Sequence, residues 1–255
     1  MHVIIPVRYA STRLPGKPLA DICGKPLIQR VYECAQQSGT GAVTVATDDE
    51  RIRKAAEAFG APVCMTSTKH RSGTERIAEA VEQLGLADDE IVVNLQGDEP
   101  LMPPELIDQV ANTLSLHTDA VMATACHPIV DKTELDDPNV VKVMCDESGY
   151  ALDFSRAPIS KPRQVDSQSP ISIFWHVGIY AYRVGFVARY VTWPPCPLEQ
   201  VEQLEQLRVL CHGERIIVYR LTPETPGVRA LDVGVNTQAD LDRVREIFRE
   251  KENKK

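Results

Sequence analysis

No apolar stretch in these 255 residues approaches the roughly 18–20 residues that a bilayer-spanning helix requires. The short run HVIIPV has no basic region ahead of it, which predicts a first buried strand and excludes a convincing signal peptide. Paired cysteine spacing is missing too. The seven cysteines (23, 34, 64, 126, 145, 196 and 211) are odd in number, scattered, and never form C-x-x-C. That pattern argues against a disulfide framework and a zinc site, and predicts small core thiols in a reducing, cytoplasmic setting. Positive charge is in deficit: 28 Lys and Arg against 36 Asp and Glu give a net charge of -8, which offers no support for a nucleic-acid partner. G-x-G-x-x-G does not occur, which disfavours a dinucleotide cofactor. There is no P-loop either, since Lys17 is followed by Pro18 and the upstream glycine is missing. Repeats and low-complexity segments are absent.

What is present is an alternation. HVIIPV, AVTVAT, APVCM, EIVVNLQ and DAVMATA read as strands. Between them, PLIQRVYECAQQ, DDERIRKAAEAFG, TERIAEAVEQLG and PPELIDQVANTLSLH read as helices. Such βαβα order predicts an α/β fold with a mostly parallel sheet and helices on both faces. The second half is less regular. VVKVMCD and GYALDFS predict a hairpin, HVGIYAYR a long buried strand, and KPRQVDSQSP a mobile polar connection. EQVEQLEQLRVLCHG predicts one helix ended by Gly213, IIVYRL a strand, and the last residues a terminal helix. A single domain over 1–255 is expected, with a smaller β-rich insertion.

The loop after the first strand, RYASTRLPGKPL, holds Arg8, Arg13 and Lys17 and no acid. Loops at the carboxyl ends of strands in open α/β sheets are where ligands bind. Gly16 permits close backbone approach, Pro15 and Pro18 restrict the loop, and Ser11 and Thr12 add donors. These are the parts of a phosphate cradle. From charge alone, a solvated basic loop explains them equally well.

IIPVRYASTRLPGKPLADICGKPLIQRV resembles the N-terminal signature of the CMP-Kdo synthetases, the cytidylyltransferases of 3-deoxy-manno-octulosonate (Kdo). VATDDERI, HRSGTERIAEA, VVNLQGDEPL, FSRAPI, HVGIYAYRVGF and LEQLRVL fit the same family, in unbroken order from about Val3 to about Arg249. The resemblance implies a Rossmann-like nucleotidyltransferase sheet and transfer of CMP from CTP to Kdo, with release of pyrophosphate. It implies magnesium as cofactor, a homodimer, a product used for lipopolysaccharide or capsule, and a sugar-binding and dimerisation subregion at about 127–213. Arg8, Ser11, Arg13 and Lys17 would then bind the triphosphate, so that the anion awaited by the loop is CTP. Asp98 would bind the metal, with Gln96 and Gly97 beside the nucleotide and Arg71 and Ser72 near the base. Arg156, His176, Glu205 and Gln206 are the matching sugar-binding positions. By residue type alone, His176 reads as a core histidine, Glu205 and Gln206 as solvated helix positions, and Asp98 as a turn residue.

One segment departs from the family pattern. Where a GVDTPEDL-like stretch would supply a second metal-binding aspartate, this chain reads GVNTQADL, with Asn236 at that position and Asp232 four residues earlier. An amide oxygen carries no charge, so weaker metal affinity is expected unless Asp232 substitutes. Two alternatives follow: a cytidylyltransferase for a modified Kdo or other sugar acid, or a non-catalytic nucleotide-binding protein on the same scaffold.

Overall fold

The computed structural model describes residues 1–11, 13–39, 41–158, 172–222, 225 and 234–253. β1 (His2–Val7) leads through a 3-10 turn at Lys17–Leu19 to a short hairpin, β2 (Asp21–Ile22) and β3 (Lys25–Pro26), and then α1 (Leu27–Gln36). The alternation continues with β4 (Ala42–Thr47), α2 (Glu50–Ala58), β5 (Val63–Met65) and α3 (Gly73–Gln83). β6 (Ile91–Asn94), α4 (Pro104–Leu116) and β7 (Met122–Pro128) follow. β8 (Lys142–Cys145) and β9 (Ala151–Ser155) form the expected hairpin, and β10 (Ser172–Arg183) returns through the sheet. α5 (Val184–Tyr190), α6 (Pro197–Glu202), α7 (Gln206–Cys211), β11 (Ile216–Arg220) and α8 (Gln238–Asn253) complete the chain. The polar stretch 161–170 lies outside the described residues.

The main sheet runs β11-β7-β10-β6-β1-β4-β5, with β8 and β9 attached to β10. β6, β1, β4 and β5 are parallel, as are β11 and β7. Consecutive side chains of a strand point to opposite faces, and β1 is apolar from Val3 to Val7, so it feeds two cores. Val3, Ile5 and Val7 pack with α1, α2, α4 and α8 through Leu27, Ile52, Leu106 and Leu241. Ile4 packs with α3, α5 and α7 through Ile77, Phe186 and Leu207. Helices therefore cover both faces, as the α/β reading expects.

Two features differ from expectation. β10 runs antiparallel to both β6 and β7, with a register shift between Val177 and Tyr180. The single helix expected over 199–213 is two short helices, separated where Gln203 takes a left-handed conformation at φ 57. A buried ion pair accounts for the break. Arg208 donates from Nε to Glu199 Oε2 at 2.7 Å, and both side chains are buried. Nine positions at about 100° each would set these residues on opposite sides of a continuous helix. Breaking the helix brings them together.

A buried charge left without its partner costs about 3–5 kcal/mol, whereas replacing both partners by apolar groups costs far less. Arg208→Met alone is expected to lose that amount in denaturant-induced unfolding. The Glu199→Leu/Arg208→Met double variant is expected to recover most of it.

Candidate active site

β1 and β6 are adjacent and parallel, so both deliver their carboxyl ends to one edge of the sheet. A cavity of about 630 Å³ opens there. Its walls are the loop after β1, the residues leading into α3, and Gln96, Gly97 and Asp98 after β6. Gly97 lets the strand-end loops touch: a Cβ there would stand 2.7 Å from Val7 Cγ2 and 3.3 Å from the Pro6 carbonyl oxygen. Gly16 takes φ 70, and a Cβ on it would meet Tyr9 Oη at 3.0 Å. Tyr9 thus braces the inside of the basic loop, with the Arg51 guanidinium 3.3 Å over its ring.

The three loop cations line this cavity together. Lys17 Nζ donates to Asp98 Oδ2 at 2.7 Å, and Arg13 Nη2 donates to Asn236 Oδ1 at 2.8 Å. Arg8 is exposed and has no ion pair among the described residues. Ser11 Oγ accepts the Leu14 N–H at 3.3 Å and so shapes the loop. Asn236 reaches the site because the Val235 N–H donates to the Asp98 carbonyl at 2.8 Å. Asp232 lies outside the described residues.

Arg71 and Ser72 also line the cavity, at the start of α3. Ser72 caps the helix, its hydroxyl accepting the Glu75 N–H at 3.2 Å. The Arg71 side chain is exposed, 3.7 Å from Glu75. Sequence reasoning missed Arg76, which is 3% exposed on the inward face of α3 and also reaches this wall. It pairs with Asp48 at 2.9 Å and donates to Thr66 Oγ1. An arginine on the apolar face of a predicted helix was the available signal.

A second cavity of about 280 Å³ adjoins the first, the two sharing Gln96 and Glu205. Arg156, Gln206, Asn94, Tyr180, Tyr182 and Glu99 are among its walls. Gln206 is 3% exposed; its Oε1 accepts from Tyr180 Oη at 3.4 Å while its Nε2 has no partner among the described residues. A buried amide donor left unsatisfied beside a cavity is costly, and it points to an acceptor supplied by a ligand. Burial raises the pKa of Glu205, while hydrogen bonds from the Thr74 and Ser72 hydroxyls oppose the shift. Glu205 therefore ties α7 to the start of α3, between the two cavities.

His176 is not in either wall. It is 6% exposed on β10, with Nε2 2.9 Å from Thr124 Oγ1, and it lies between the rings of Phe154 and Tyr180. Burial lowers its pKa to about 3, with the Arg156 charge adding to the effect, so the ring is neutral. It supports Tyr180 from behind.

Among the described residues, no cluster of three or more His, Cys, Asp or Glu side chains could cage a metal. Asp98 and the amide oxygen of Asn236 are the oxygen donors at the cation-lined edge. Beside Asp98, burial drives the Glu99 pKa well above its ordinary value, the Asp98 charge adding and Lys17 opposing. One carboxylate and one amide fit a hard cation that takes its other oxygens from phosphate and water.

The chain matches a family model described as cytidylyltransferase over residues 2–216. A 3-deoxy-manno-octulosonate cytidylyltransferase of Idiomarina loihiensis is 53% identical, covering 96% of this chain and 97% of its own. One from Yersinia enterocolitica is 55% identical, with 96% and 97% covered. Among solved structures, a CMP:2-keto-3-deoxy-manno-octonic acid synthetase complexed with CTP superposes with a TM-score of 0.86 at 41% identity, covering 98% of each chain. A cytidylyltransferase from Leptospira borgpetersenii shares the fold, with a TM-score of 0.60 at 14% identity over 98% of this chain and 94% of its own.

Gly97→Ala is expected to cost about 1–3 kcal/mol, because the new methyl must push apart two packed strand ends. Thermal unfolding measures it. Gly41→Ala is the control, since a Cβ there meets nothing within 4 Å.

Proposed function

This chain belongs to the 3-deoxy-manno-octulosonate cytidylyltransferase family, and on that premise we propose how its two cavities divide the work. The enzyme transfers CMP from CTP to Kdo and releases pyrophosphate. The observation that carries the assignment is the junction of a cation-lined cavity with a smaller polar one at Gln96 and Glu205. The larger takes CTP; the smaller takes the sugar acid. A hydroxyl of Kdo then attacks the α-phosphorus across the junction, and pyrophosphate departs on the side of the basic loop.

Such a transfer asks the protein mainly for alignment and for neutralisation of spreading negative charge. Arg8, Arg13 and Lys17 supply the neutralisation. Lys17 and Arg13 rest on Asp98 and Asn236. A triphosphate offers these cations stronger acceptors and frees both oxygens. Asp98 and Asn236 would hold magnesium, which when bound offsets phosphate charge and lowers the pKa of the attacking hydroxyl. Gln96 and Gly97 lie against the nucleotide, and Arg71 and Ser72 face its base. In the smaller cavity Arg156 takes the sugar carboxylate, while Glu205 and Gln206 take hydroxyls. His176 acts there through Tyr180.

We read the enzyme as a cytoplasmic homodimer with no nucleic-acid or membrane partner. The subregion 127–213 carries exposed Leu152, Leu198 and Val201, which suits a subunit contact.

Pyrophosphate release is expected only with CTP, Kdo and magnesium together, and not with other nucleotides. Binding of CTP without turnover, restored by Asn236→Asp, would replace this reading with that of a non-catalytic binding protein. Lys17→Ala is expected to lower kcat about 100-fold, the usual scale for losing one electrostatic donor to a developing anion. In the active enzyme, Asn236→Asp is expected to lower the magnesium concentration for half-maximal rate.

A further inference from the structure

Lys142 is fully buried, and it is the only lysine in the buried core among the described residues. It stands on β8 opposite Ser155, the last residue of β9, so it faces the peptide of Arg156. No carboxylate forms a salt bridge with it among the described residues. Its ammonium donates instead to two carbonyls, Arg156 O at 2.8 Å and Asp137 O at 3.0 Å. Burial lowers its pKa from the ordinary value, with the Asp137 and Glu202 charges opposing and the Arg156 charge adding. A dry ammonium is a costly way to hold two carbonyls, unless what they fix has value.

What they fix is one arginine. Arg156 Nη1 donates to the Pro138 carbonyl at 3.4 Å, the peptide next to that held by Lys142. From the other side, Glu202 accepts the Arg156 N–H on Oε2 at 2.8 Å and the Ser155 hydroxyl on Oε1 at 3.0 Å. The Glu202 carbonyl accepts Arg156 Nε at 3.2 Å. Arg156 is thus tied at its backbone N–H, its carbonyl, Nε and Nη1. Nη2 has no hydrogen bond to protein among the described residues, and the side chain lines the smaller cavity.

We propose that Lys142 and Glu202 are positioning residues that hold the Arg156 guanidinium with Nη2 presented to the sugar carboxylate. The proposal rests on the reading of Arg156 given above. Lys142 ties the 137–138 turn to the end of β9, and Glu202 ties the end of α6 to the same point. Together they replace the rotamer freedom of a long side chain by one orientation, so the ordering cost is met before the sugar arrives.

The test is steady-state kinetics on full-length Lys142→Met and Glu202→Gln enzymes, with each substrate varied in turn and thermal unfolding followed in parallel. KM for Kdo is expected to rise about tenfold or more, the scale of one charge-assisted hydrogen bond. KM for CTP should stay unchanged and kcat should stay within about twofold. Added to Arg156→Ala, neither substitution should raise KM for Kdo further, because both act through that side chain. A lower unfolding temperature with unchanged KM for Kdo, or an equal rise in both KM values, would overturn the proposal. Should Lys142→Met not fold, Glu202→Gln decides the question. Arg156→Ala separates the two layers. If it leaves KM for Kdo untouched, the reading of Arg156 itself is wrong. If it raises KM while the other two variants do not, only the positioning claim fails.

Discussion

The contact between Gly97 and Val7 governs the geometry of the site. β1 and β6 are hydrogen-bonded neighbours, and their following loops turn in different directions, one toward α1 and the other toward α4. Without a side chain at position 97, the second loop settles directly on the end of β1. Asp98 then falls within reach of Lys17, and the Asp98 carbonyl can receive the Val235 N–H. Three segments distant in sequence thus converge at one strand end. A residue with a Cβ at 97 would loosen all of them, because the atom it meets belongs to a buried valine and not to a flexible side-chain tip.

Charge organises what packing brings together. Like charges gathered in one loop repel one another; Lys17 and Arg13 rest on oxygen acceptors, one a carboxylate and one an amide. These contacts are partly solvated, so each contributes modestly to stability. Their consequence is pre-organisation, since the side chains wait near the positions where phosphate oxygens would take over. On the proposed reading, an arriving phosphate would draw the cations off Asp98 and Asn236 and leave both oxygens to a metal. An amide at position 236 would make that exchange easier than an aspartate, because Arg13 would give up a hydrogen bond and not an ion pair.

The alternating half of the chain was legible because strand and helix periods are local signals. The loop RYASTRLPGKPL was legible because its charge sign contradicts the rest of the sequence. HVGIYAYR reads as a strand, but the antiparallel course of β10 between β6 and β7 depends on pairings between residues far apart in the chain, which no local pattern carries. Arg76 was missed because an arginine on a helix is ordinarily solvated; only the fold brings Asp48 and Thr66 beneath it. His176 is matched through its flanking residues, yet neighbours in sequence do not show that the Phe154 and Tyr180 rings pack over it on the cavity side of β10. Lys142, in the run VVKVMCD, has no sequence signature at all. Its partners are backbone carbonyls, and those are invisible until the chain has folded.

The break between α6 and α7 shows the same limit and shapes the smaller cavity. Local propensity over EQVEQLEQLRVLCHG favours one continuous helix, and Gln203 in a left-handed conformation costs roughly 1 kcal/mol or more. Once both side chains are buried, leaving Arg208 or Glu199 without its partner would forfeit about 3–5 kcal/mol, more than the left-handed residue costs. Desolvation nearly cancels the attraction of such a pair, so its main effect is to specify one arrangement against its alternatives. That arrangement turns Glu205 toward Ser72 and Thr74, seals Gln206 beneath Tyr180 and presents Glu202 to Arg156. On a continuous helix positions 202, 205 and 206 would share one face; the bend instead ends α6 at Glu202 beside Arg156 and starts α7 with Glu205 and Gln206 against α3 and Tyr180. The ion pair therefore acts on the smaller cavity without lining it, by deciding where the chain must bend.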